Sequence, residues 1–172
     1  MPSTPASYFI RDLPDHHEIN TAIKQQFCSQ VDHQDTVKTH YFAGRYENIY
    51  LGLDKVPALQ FVIEQARQFA AEILGSTAEL HVGFWFNAMA PGDTTTLHTH
   101  DDDDECLSAV YYIDAPEGSG NLIVHIDNER VSITPQTSRF VFFYPNVPHE
   151  VAENTSKYNR LSIGMNFGMK QS

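Results

Sequence analysis

The sequence predicts a mainly β protein that carries helices in its N-terminal part. Before Gly75, apolar residues recur at three- and four-residue steps, which is the period of an amphipathic helix. After Gly75, short runs rich in aromatic and β-branched residues alternate with glycine, proline and asparagine, as strands alternate with turns. Because 172 residues suit one domain, we expect a single domain over 1–172, with a helical part at 1–78 and a β core at 79–170.

Two helices are predicted in the first part. Pro14 and Asp15 suit the start of the first helix. The apolar face of that helix would consist of Ile19, Ala22, Ile23, Phe27 and Val31. The second helix is predicted over 56–74, and Gly75 suits its C-terminal end because glycine readily adopts the left-handed conformation found there.

The β core is predicted to contain about eight short strands at close spacing. Turn signals such as Pro91-Gly92, Asp127-Asn128 and Pro145-Asn146 separate them. The predicted strands are 81–89, 95–100, 107–114, 121–126, 129–133, 139–144, 149–152 and 160–167. This number and spacing favour a sandwich or a closed barrel with helices packed outside, as in jelly rolls and cupins.

The negative net charge of the chain disfavours some classes of binding partner. There are 22 Asp and Glu residues against 11 Lys and Arg residues, so the formal net charge is −11. Nucleic acids and anionic membrane surfaces attract basic residues, so neither kind of partner is expected. A neutral or cationic substrate is easier to accommodate.

The sequence also predicts a cytoplasmic protein. Its two cysteines, Cys28 and Cys106, are too few for a disulfide framework, and reduced thiols are usual in the cytosol. The first residues do not resemble a signal peptide, in which a basic segment precedes an apolar one. No apolar run approaches the roughly 20 residues that a helix needs to cross a bilayer.

A metal site is predicted around His98 and His100. Residues two apart on a strand point to the same face, so these side chains would project together. Imidazole is a ligand of iron, zinc, copper and nickel. His149 is the best candidate for a third ligand, because it follows the rigid turn 145–148 at the start of another strand. On spacing alone, a pair of exposed strand histidines explains His98 and His100 equally well.

A carboxylate-binding pair is predicted at Arg160 and Ser162. Both lie on one face of a predicted strand, and its other face carries the apolar residues Leu161, Ile163, Met165 and Phe167. An arginine offers a planar fork of donors that binds a carboxylate through two hydrogen bonds, and a serine hydroxyl adds another donor. A surface arginine paired with a glutamate is the alternative interpretation.

The run 101–105 consists of four aspartates and one glutamate. A solvated loop is the simpler interpretation, because like charges repel one another and favour water. The alternative is a negative rim beside the metal pocket, which would attract a cationic group of the substrate.

These motifs resemble the Fe(II)- and 2-oxoglutarate-dependent dioxygenases, whose core is a double-stranded β-helix of the jelly-roll and cupin type. That family carries His-x-Asp or His-x-Glu, then a distal His, then Arg-x-Ser. The matching positions here are His98-Thr99-His100, His149 and Arg160-Leu161-Ser162. The chain is more narrowly similar to bacterial and phage 2-oxoglutarate oxygenases that carry His-x-His. Their further motifs correspond to Trp85-Phe86-Asn87 and Ser108-Ala109-Val110-Tyr111-Tyr112, so the resemblance covers roughly residues 80–168.

The resemblance implies an enzyme with Fe(II) as its metal and 2-oxoglutarate as its cosubstrate. The implied metal ligands are His98, His100 and His149. The residues implied to bind 2-oxoglutarate are Arg160, Ser162 and Asn87. No catalytic side chain beyond the metal ligands is implied. The expected reaction is hydroxylation of a small-molecule or peptide substrate, with release of succinate and CO2.

His100 departs from the pattern of the wider family, which has a carboxylate at that position. Two histidines and one carboxylate leave half of the coordination sphere open for 2-oxoglutarate and O2. Asp102 would supply the carboxylate if the strand extends that far, because it lies four residues after His98. His100 is preferred, since the narrower family carries His-x-His.

Two other functions stay open at this point. One is a cupin-type dioxygenase or isomerase that binds its metal through three histidines and does not use 2-oxoglutarate. The other is a cupin-like module that binds a ligand without catalysis. The sequence does not set the oligomeric state, although a homodimer is compatible with this fold, since such barrels often pair through outer strands or helices.

Overall fold

A computed structural model of the chain describes residues 7–14, 16–100 and 104–170. It contains the two predicted helices, α1 at His17–Gln30 and α2 at Leu59–Leu74. The strands are β1 (Tyr8–Asp12), β2 (Val37–Phe42), β3 (Arg45–Tyr50), β4 (Leu80–Met89), β5 (Thr95–His98), β6 (Glu105–Asp114), β7 (Leu122–Ile126), β8 (Glu129–Ile133), β9 (Arg139–Phe143), β10 (His149–Val151) and β11 (Arg160–Met169). The prediction of a mainly β fold with N-terminal helices is confirmed.

The strands form two antiparallel sheets. The larger sheet has seven strands in the order β1-β9-β6-β11-β4-β3-β2, and the smaller sheet has four in the order β5-β10-β7-β8. The jelly-roll fold class is confirmed, but over the described ranges the two sheets stay separate and the predicted barrel is not closed. Alternating apolar residues specify which face of a strand is buried, but they do not specify whether two edge strands join.

Both helices pack on the outer face of the larger sheet. The ring of Phe27 on α1 lies 4.8 Å from that of Phe86 on β4, and the ring of Phe69 on α2 lies 5.7 Å from that of Phe140 on β9. Helix α2 ends at Gly75, whose φ of 59° is the left-handed conformation expected at a helix end. Neither helix combines the length and the apolar composition required to span a bilayer.

One apolar cluster, which includes Leu107, lies between the helices and the larger sheet, and a second lies between the two sheets. The second cluster consists of Met89, Tyr112, Leu122, Val124, Ile133, Val141, Phe143 and Val151. These side chains come from the inner faces of both sheets, because successive residues of a strand point to opposite faces. The cluster holds the smaller sheet against the larger one and fills only part of the space between them.

The first 78 residues are less helical than predicted. They include β1, β2 and β3, which join the larger sheet through pairing of β1 with β9 and of β3 with β4. The side chains of β2 are mostly exposed, and β3 buries Glu47 as well as Ile49. Neither strand therefore shows the alternation of apolar and polar residues that reveals a half-buried strand. The assignment of 1–172 to one domain stays a prediction.

Candidate active site

A cavity of about 520 Å³ lies between the inner faces of the two sheets. This volume falls within the range of small-molecule binding sites. All six predicted site residues line the cavity: His98, His100, His149, Asn87, Arg160 and Ser162. The three histidines belong to the smaller sheet or directly follow one of its strands, whereas the other three residues lie on β4 and β11 of the larger sheet.

The three histidines meet at one point. His98 on β5 and His149 on β10 are direct cross-strand partners, so their side chains lie on the same face of the smaller sheet. Their ring centroids are 4.2 Å apart, and the His100 ring lies 4.8 Å from His98 and 4.9 Å from His149. One ring nitrogen of each residue lies within 4.8 Å of the other two, which is the arrangement that a shared metal ion requires.

His100 reaches this point by a different route from the predicted one. The prediction placed His98 and His100 on one strand face, but β5 ends at His98. The backbone N–H of His100 instead donates to the carbonyl of Pro145 at 2.8 Å, which holds the segment after β5 against the turn that precedes His149. The alternative ligand, Asp102, lies outside the described residues.

Backbone carbonyls orient two of the imidazoles. Nδ1 of His98 lies 2.6 Å from the carbonyl oxygen of Thr96, and Nδ1 of His149 lies 3.0 Å from that of Val147. A carbonyl can only accept, so Nδ1 carries the proton in both rings and Nε2 keeps the lone pair that binds a metal. Burial, together with the neighbouring His98 and His100, lowers the pKa of His149 to about 3, so its ring is the neutral form that metals bind.

Arg160 is buried at the inner end of the cavity, with only 1% of its surface exposed. Its Nη1 donates to the carbonyl of Gly120 at 2.6 Å and more distantly to that of Ser119 at 3.4 Å. The guanidinium carbon lies 4.9 Å from the centroid of the Tyr112 ring. Burial lowers the pKa of Arg160, because enclosing a charge away from water is unfavourable unless the charge is paired.

Three buried polar atoms around this guanidinium have no hydrogen-bond partner among the described residues. They are Nε of Arg160, the hydroxyl of Tyr112 and the hydroxyl of Ser119. Among the described residues, Arg160 also forms no ion pair with a carboxylate. Buried polar atoms without partners are rare in native proteins. A bound carboxylate would satisfy donors of this kind.

Gly120 brings its carbonyl close to Arg160. Its φ is 99°, and a Cβ atom at this position would lie 2.2 Å from the carbonyl oxygen of Ala152. Only glycine combines that conformation with so close an approach of two backbone segments. The sequence alone did not reveal the contact of Gly120 with the buried arginine.

Asn87 and Ser162 are cross-strand partners on the same inner face as Arg160. The Ser162 hydroxyl lies 3.5 Å from the carbonyl of Asn87, a distance at the limit of a hydrogen bond. The Asn87 amide donates to Thr95 Oγ1 at 3.1 Å and accepts from Arg45 at 3.2 Å. Asn87 is therefore held rigidly at the cavity wall.

Two residues of β3 that the sequence analysis missed connect the two sheets. Arg45 also donates to the Thr94 carbonyl at 2.7 Å, just before β5. Glu47 is 5% exposed, and its carboxylate accepts from both the backbone N–H and the hydroxyl of Thr96, each at 2.9 Å. Since the Thr96 carbonyl orients His98, Glu47 supports the cluster of three histidines indirectly. The one sequence signal is the Arg-x-Glu spacing within a short run of strand-forming residues.

The residues present fit the metal and cosubstrate that the sequence predicts. Imidazole nitrogens suit iron and other first-row metals, and two of the three rings already expose Nε2. The unpartnered donors around Arg160 suit the distal carboxylate of 2-oxoglutarate. Both groups would lie in the same cavity.

Comparisons with known proteins point in the same direction. Residues 84–168 match the model of the 2OG-Fe(II) oxygenase superfamily. None of the curated proteins matches the chain in sequence.

Several solved structures are similar in fold. A prolyl-4-hydroxylase from Pseudomonas putida has 20% identity and a TM-score of 0.67, over 96% of this chain and 94% of that one. A prolyl hydroxylase in complex with a hypoxia inducible factor peptide fragment, from Trichoplax adhaerens, has 15% identity and a TM-score of 0.71, over 95% and 84%. A non-heme alpha-ketoglutarate-dependent carbocyclase of nogalamycin biosynthesis has 15% identity and a TM-score of 0.74, over 96% and 80%.

At these identities the solved structures establish the fold, and the family match adds the stretch that contains every predicted site residue. The chain is a member of the 2OG-Fe(II) oxygenase superfamily and an Fe(II)- and 2-oxoglutarate-dependent oxygenase.

Proposed function

We propose that His98, His100 and His149 hold the Fe(II) ion and that Arg160 anchors the distal carboxylate of 2-oxoglutarate. The observation that carries this proposal is a buried guanidinium with an unpartnered Nε, facing the cavity in which three imidazoles converge. A lone buried charge is strongly unfavourable, so its retention indicates a ligand of opposite charge. Ser162 and Asn87 lie beside Arg160 and complete the binding site for the cosubstrate.

The bound metal and cosubstrate supply the oxidising chemistry that hydroxylates a substrate C–H bond with release of succinate and CO2. The residues of the chain orient the metal ligands and limit the access of water. The orientation of His98 and His149 by backbone carbonyls directs both Nε2 lone pairs to one position. Apolar side chains of the cavity wall, including Leu122, Phe143 and Val151, limit the access of water to that position.

The substrate class that we infer is a small molecule or a peptide. Similar folds include a prolyl hydroxylase with a bound peptide fragment and a carbocyclase of nogalamycin biosynthesis. A cytoplasmic location and a homodimer stay predictions, and the two free cysteines agree with a reducing compartment.

The cosubstrate site is tested by adding Fe(II) and then 2-oxoglutarate under anaerobic conditions. We expect a visible charge-transfer band that Arg160→Gln abolishes while metal binding persists. The matched control is Arg139→Gln, since Arg139 lies on the surface and pairs with Asp12. Bound iron without a band in the wild type would favour a cupin-type enzyme that does not use 2-oxoglutarate, and loss of metal in Arg160→Gln would contradict the assigned role of Arg160.

The metal site is tested by measuring metal content. His98→Ala and His149→Ala should each remove the metal, because each ring is one of three ligands. His33→Ala is the control, since His33 is exposed and does not line the cavity. Full occupancy in either cavity variant would exclude that histidine as a ligand. A wild type that binds no metal would favour a non-catalytic binding module.

A further inference from the structure

The cavity continues beyond the histidines, away from Arg160. Along β11 the residues that line it are Arg160, Ser162, Gly164 and Asn166. The Trp85 ring, which packs beside Gly164, lies 5.3 Å from the His100 ring, so this level of the strand adjoins the cluster of three histidines. Asn166 lies one step further along the strand. We use the name outer subsite for Gly83, Trp85, Glu105 and Asn166.

A polar network holds the carboxylate of the outer subsite in place. The Ser108 hydroxyl donates to Oδ1 of Asn166 at 2.9 Å, and Nδ2 of Asn166 donates to Oε1 of Glu105 at 2.8 Å. Ser108 and Asn166 are cross-strand partners, so the network lies flat on the inner face of the larger sheet. Glu105 therefore presents a partly buried carboxylate with a defined orientation to the cavity.

An aromatic face and open space complete the outer subsite. A Cβ atom on Gly164 would lie 2.4 Å from the Trp85 ring, so glycine is required for the ring to rest on β11. Among the described residues, no atom lies within 4 Å of the position that a Cβ on Gly83, the cross-strand partner of Asn166, would take. Within the described ranges, the strand surface at Gly83 therefore leaves room for a ligand.

The two ends of the cavity differ in charge. Arg160 is the one Lys or Arg side chain among the described residues that line the cavity, and it lies at the inner end. The outer subsite carries a carboxylate and an indole ring that line the same cavity, and the chain has a net charge of −11. A carboxylate and an aromatic face together favour an organic cation through a charge-assisted hydrogen bond and a cation–π contact.

We propose that the outer subsite binds an alkylammonium group of the substrate. That this amine belongs to a substrate rests on the proposed oxygenase function. That an amine binds at the outer subsite does not depend on that function. The amine belongs either to a free small molecule or to a lysine side chain of a peptide. Both sources share the chemistry that the outer subsite recognises.

Trp85 provides the readout, because it is the single tryptophan of the chain. The protein is loaded with Zn(II), which has no redox chemistry, and with 2-oxoglutarate. Its fluorescence is then titrated with n-pentylamine, n-pentanol, N-acetyl-lysine methylamide and N-acetyl-norleucine methylamide. Each amine has a neutral counterpart of similar length, and comparison of the two amines distinguishes a free amine from a lysine side chain.

We expect at least one amine to bind about ten times more tightly than its neutral counterpart, the lower end of what a charged hydrogen bond contributes. Glu105→Gln should remove this preference, since a neutral amide still accepts from Asn166 but no longer attracts a cation. The matched control is Glu129→Gln, an exposed carboxylate on β8 outside the cavity lining, which should keep the preference. Gly83→Val, whose side chain would enter the open space, should weaken amine binding by a similar factor.

Equal binding of amines and neutral counterparts would overturn the proposal, as would a preference that survives in Glu105→Gln. Failure of the proposed function gives a different result. In that case 2-oxoglutarate fails to change Trp85 fluorescence in the Zn(II)-loaded protein, whatever the amines do. Glu105→Gln and Gly83→Val should both retain the 2-oxoglutarate response, because Arg160 lies at the other end of the cavity.

Discussion

The two sheets differ in what supports them and in what they contribute to the site. The larger sheet is backed by both helices, with α1 against β6 and α2 against β4, and it carries Arg160, Ser162 and Asn87. The smaller sheet contributes His98 and His149 from β5 and β10. It is held to the larger sheet by one small apolar cluster and by polar contacts from β3.

This difference separates two requirements of the site. Firm binding of a carboxylate by Arg160 needs a rigid surrounding that excludes water, which the well-packed larger sheet provides. The cluster of three histidines instead depends on the position of β5, an edge strand that Glu47 attaches to the larger sheet through Thr96. Changes in the larger sheet should therefore affect stability and cosubstrate binding, whereas changes at the junction of the sheets should affect the metal.

The largest expected effect is a loss of stability when a buried leucine is truncated, and two leucines allow the two clusters to be compared. Leu107 is fully buried in the cluster beneath the helices, whereas Leu122 belongs to the cluster between the sheets and lines the cavity. Each Leu→Ala change should lower the free energy of unfolding within a range of about 2–5 kcal/mol. We expect Leu107→Ala at the upper end, because truncation of Leu122 only enlarges an existing cavity. Urea unfolding measures both, and equal losses would mean that the two clusters are equally tightly packed.

The next effect concerns ligand-dependent stability. In the presence of Zn(II), 2-oxoglutarate at 100 times its Kd should raise the free energy of unfolding of the wild type by about 2.7 kcal/mol. Arg160→Met should abolish this gain. Without ligand, Arg160→Met should stay close to wild type, because the lost bond to Gly120 is offset by removal of a buried charge. The measurement is thermal unfolding with and without cosubstrate. A strongly destabilised Arg160→Met protein would indicate a structural role for the guanidinium.

A smaller effect is expected at the junction of the two sheets. Glu47→Gln replaces one of the two carboxylate oxygens that accept from Thr96, so β5 should be held less firmly. We expect metal affinity to fall roughly tenfold, as for other residues that orient a metal ligand. Isothermal titration with Zn(II) measures this, with Glu64→Gln on the exposed face of α2 as the control. Wild-type affinity in a folded Glu47→Gln protein would show that the metal site does not depend on the Glu47 carboxylate.

The smallest effect lies at an edge of the larger sheet. Arg139 on β9 donates to Asp12 on β1 at 2.8 Å, and half of the Asp12 side chain is exposed. Asp12→Asn should therefore lower the free energy of unfolding by only about 0.2–1 kcal/mol.

This contribution should depend on pH. The hydrogen bond from Arg139 holds the pKa of Asp12 below its ordinary value of 3.8, so the stabilisation is complete above that value. It is lost as the pH falls through the lowered folded-state pKa. Urea unfolding of the wild type and Asp12→Asn should therefore converge in acid. A difference that stays constant with pH would assign the effect to packing.

Much of the fold could be predicted because it follows from local patterns. The period of the apolar residues placed both helices, and all eight predicted strands of the β core are present as β4 to β11. The strands β1 to β3 were missed. On β2 the exposed edge carries aromatic residues such as Tyr41 and Phe42, and on β3 a carboxylate occupies a buried position. Such strands are stabilised by their neighbours in the sheet, which a single segment does not reveal.

The candidate site residues could be predicted from the sequence, because such a prediction depends on residue type and short spacing. His98, His100 and His149 were identifiable as candidate metal ligands, and Arg160 as a candidate carboxylate-binding residue, from the residues around them. Their convergence on one cavity was decided only by the tertiary structure, since β5, β10 and β11 are distant in sequence and meet through strand pairing and sheet packing. The same holds for the support of His98 by Glu47 through Thr96, because hydrogen bonds between distant segments leave no periodic trace in a sequence.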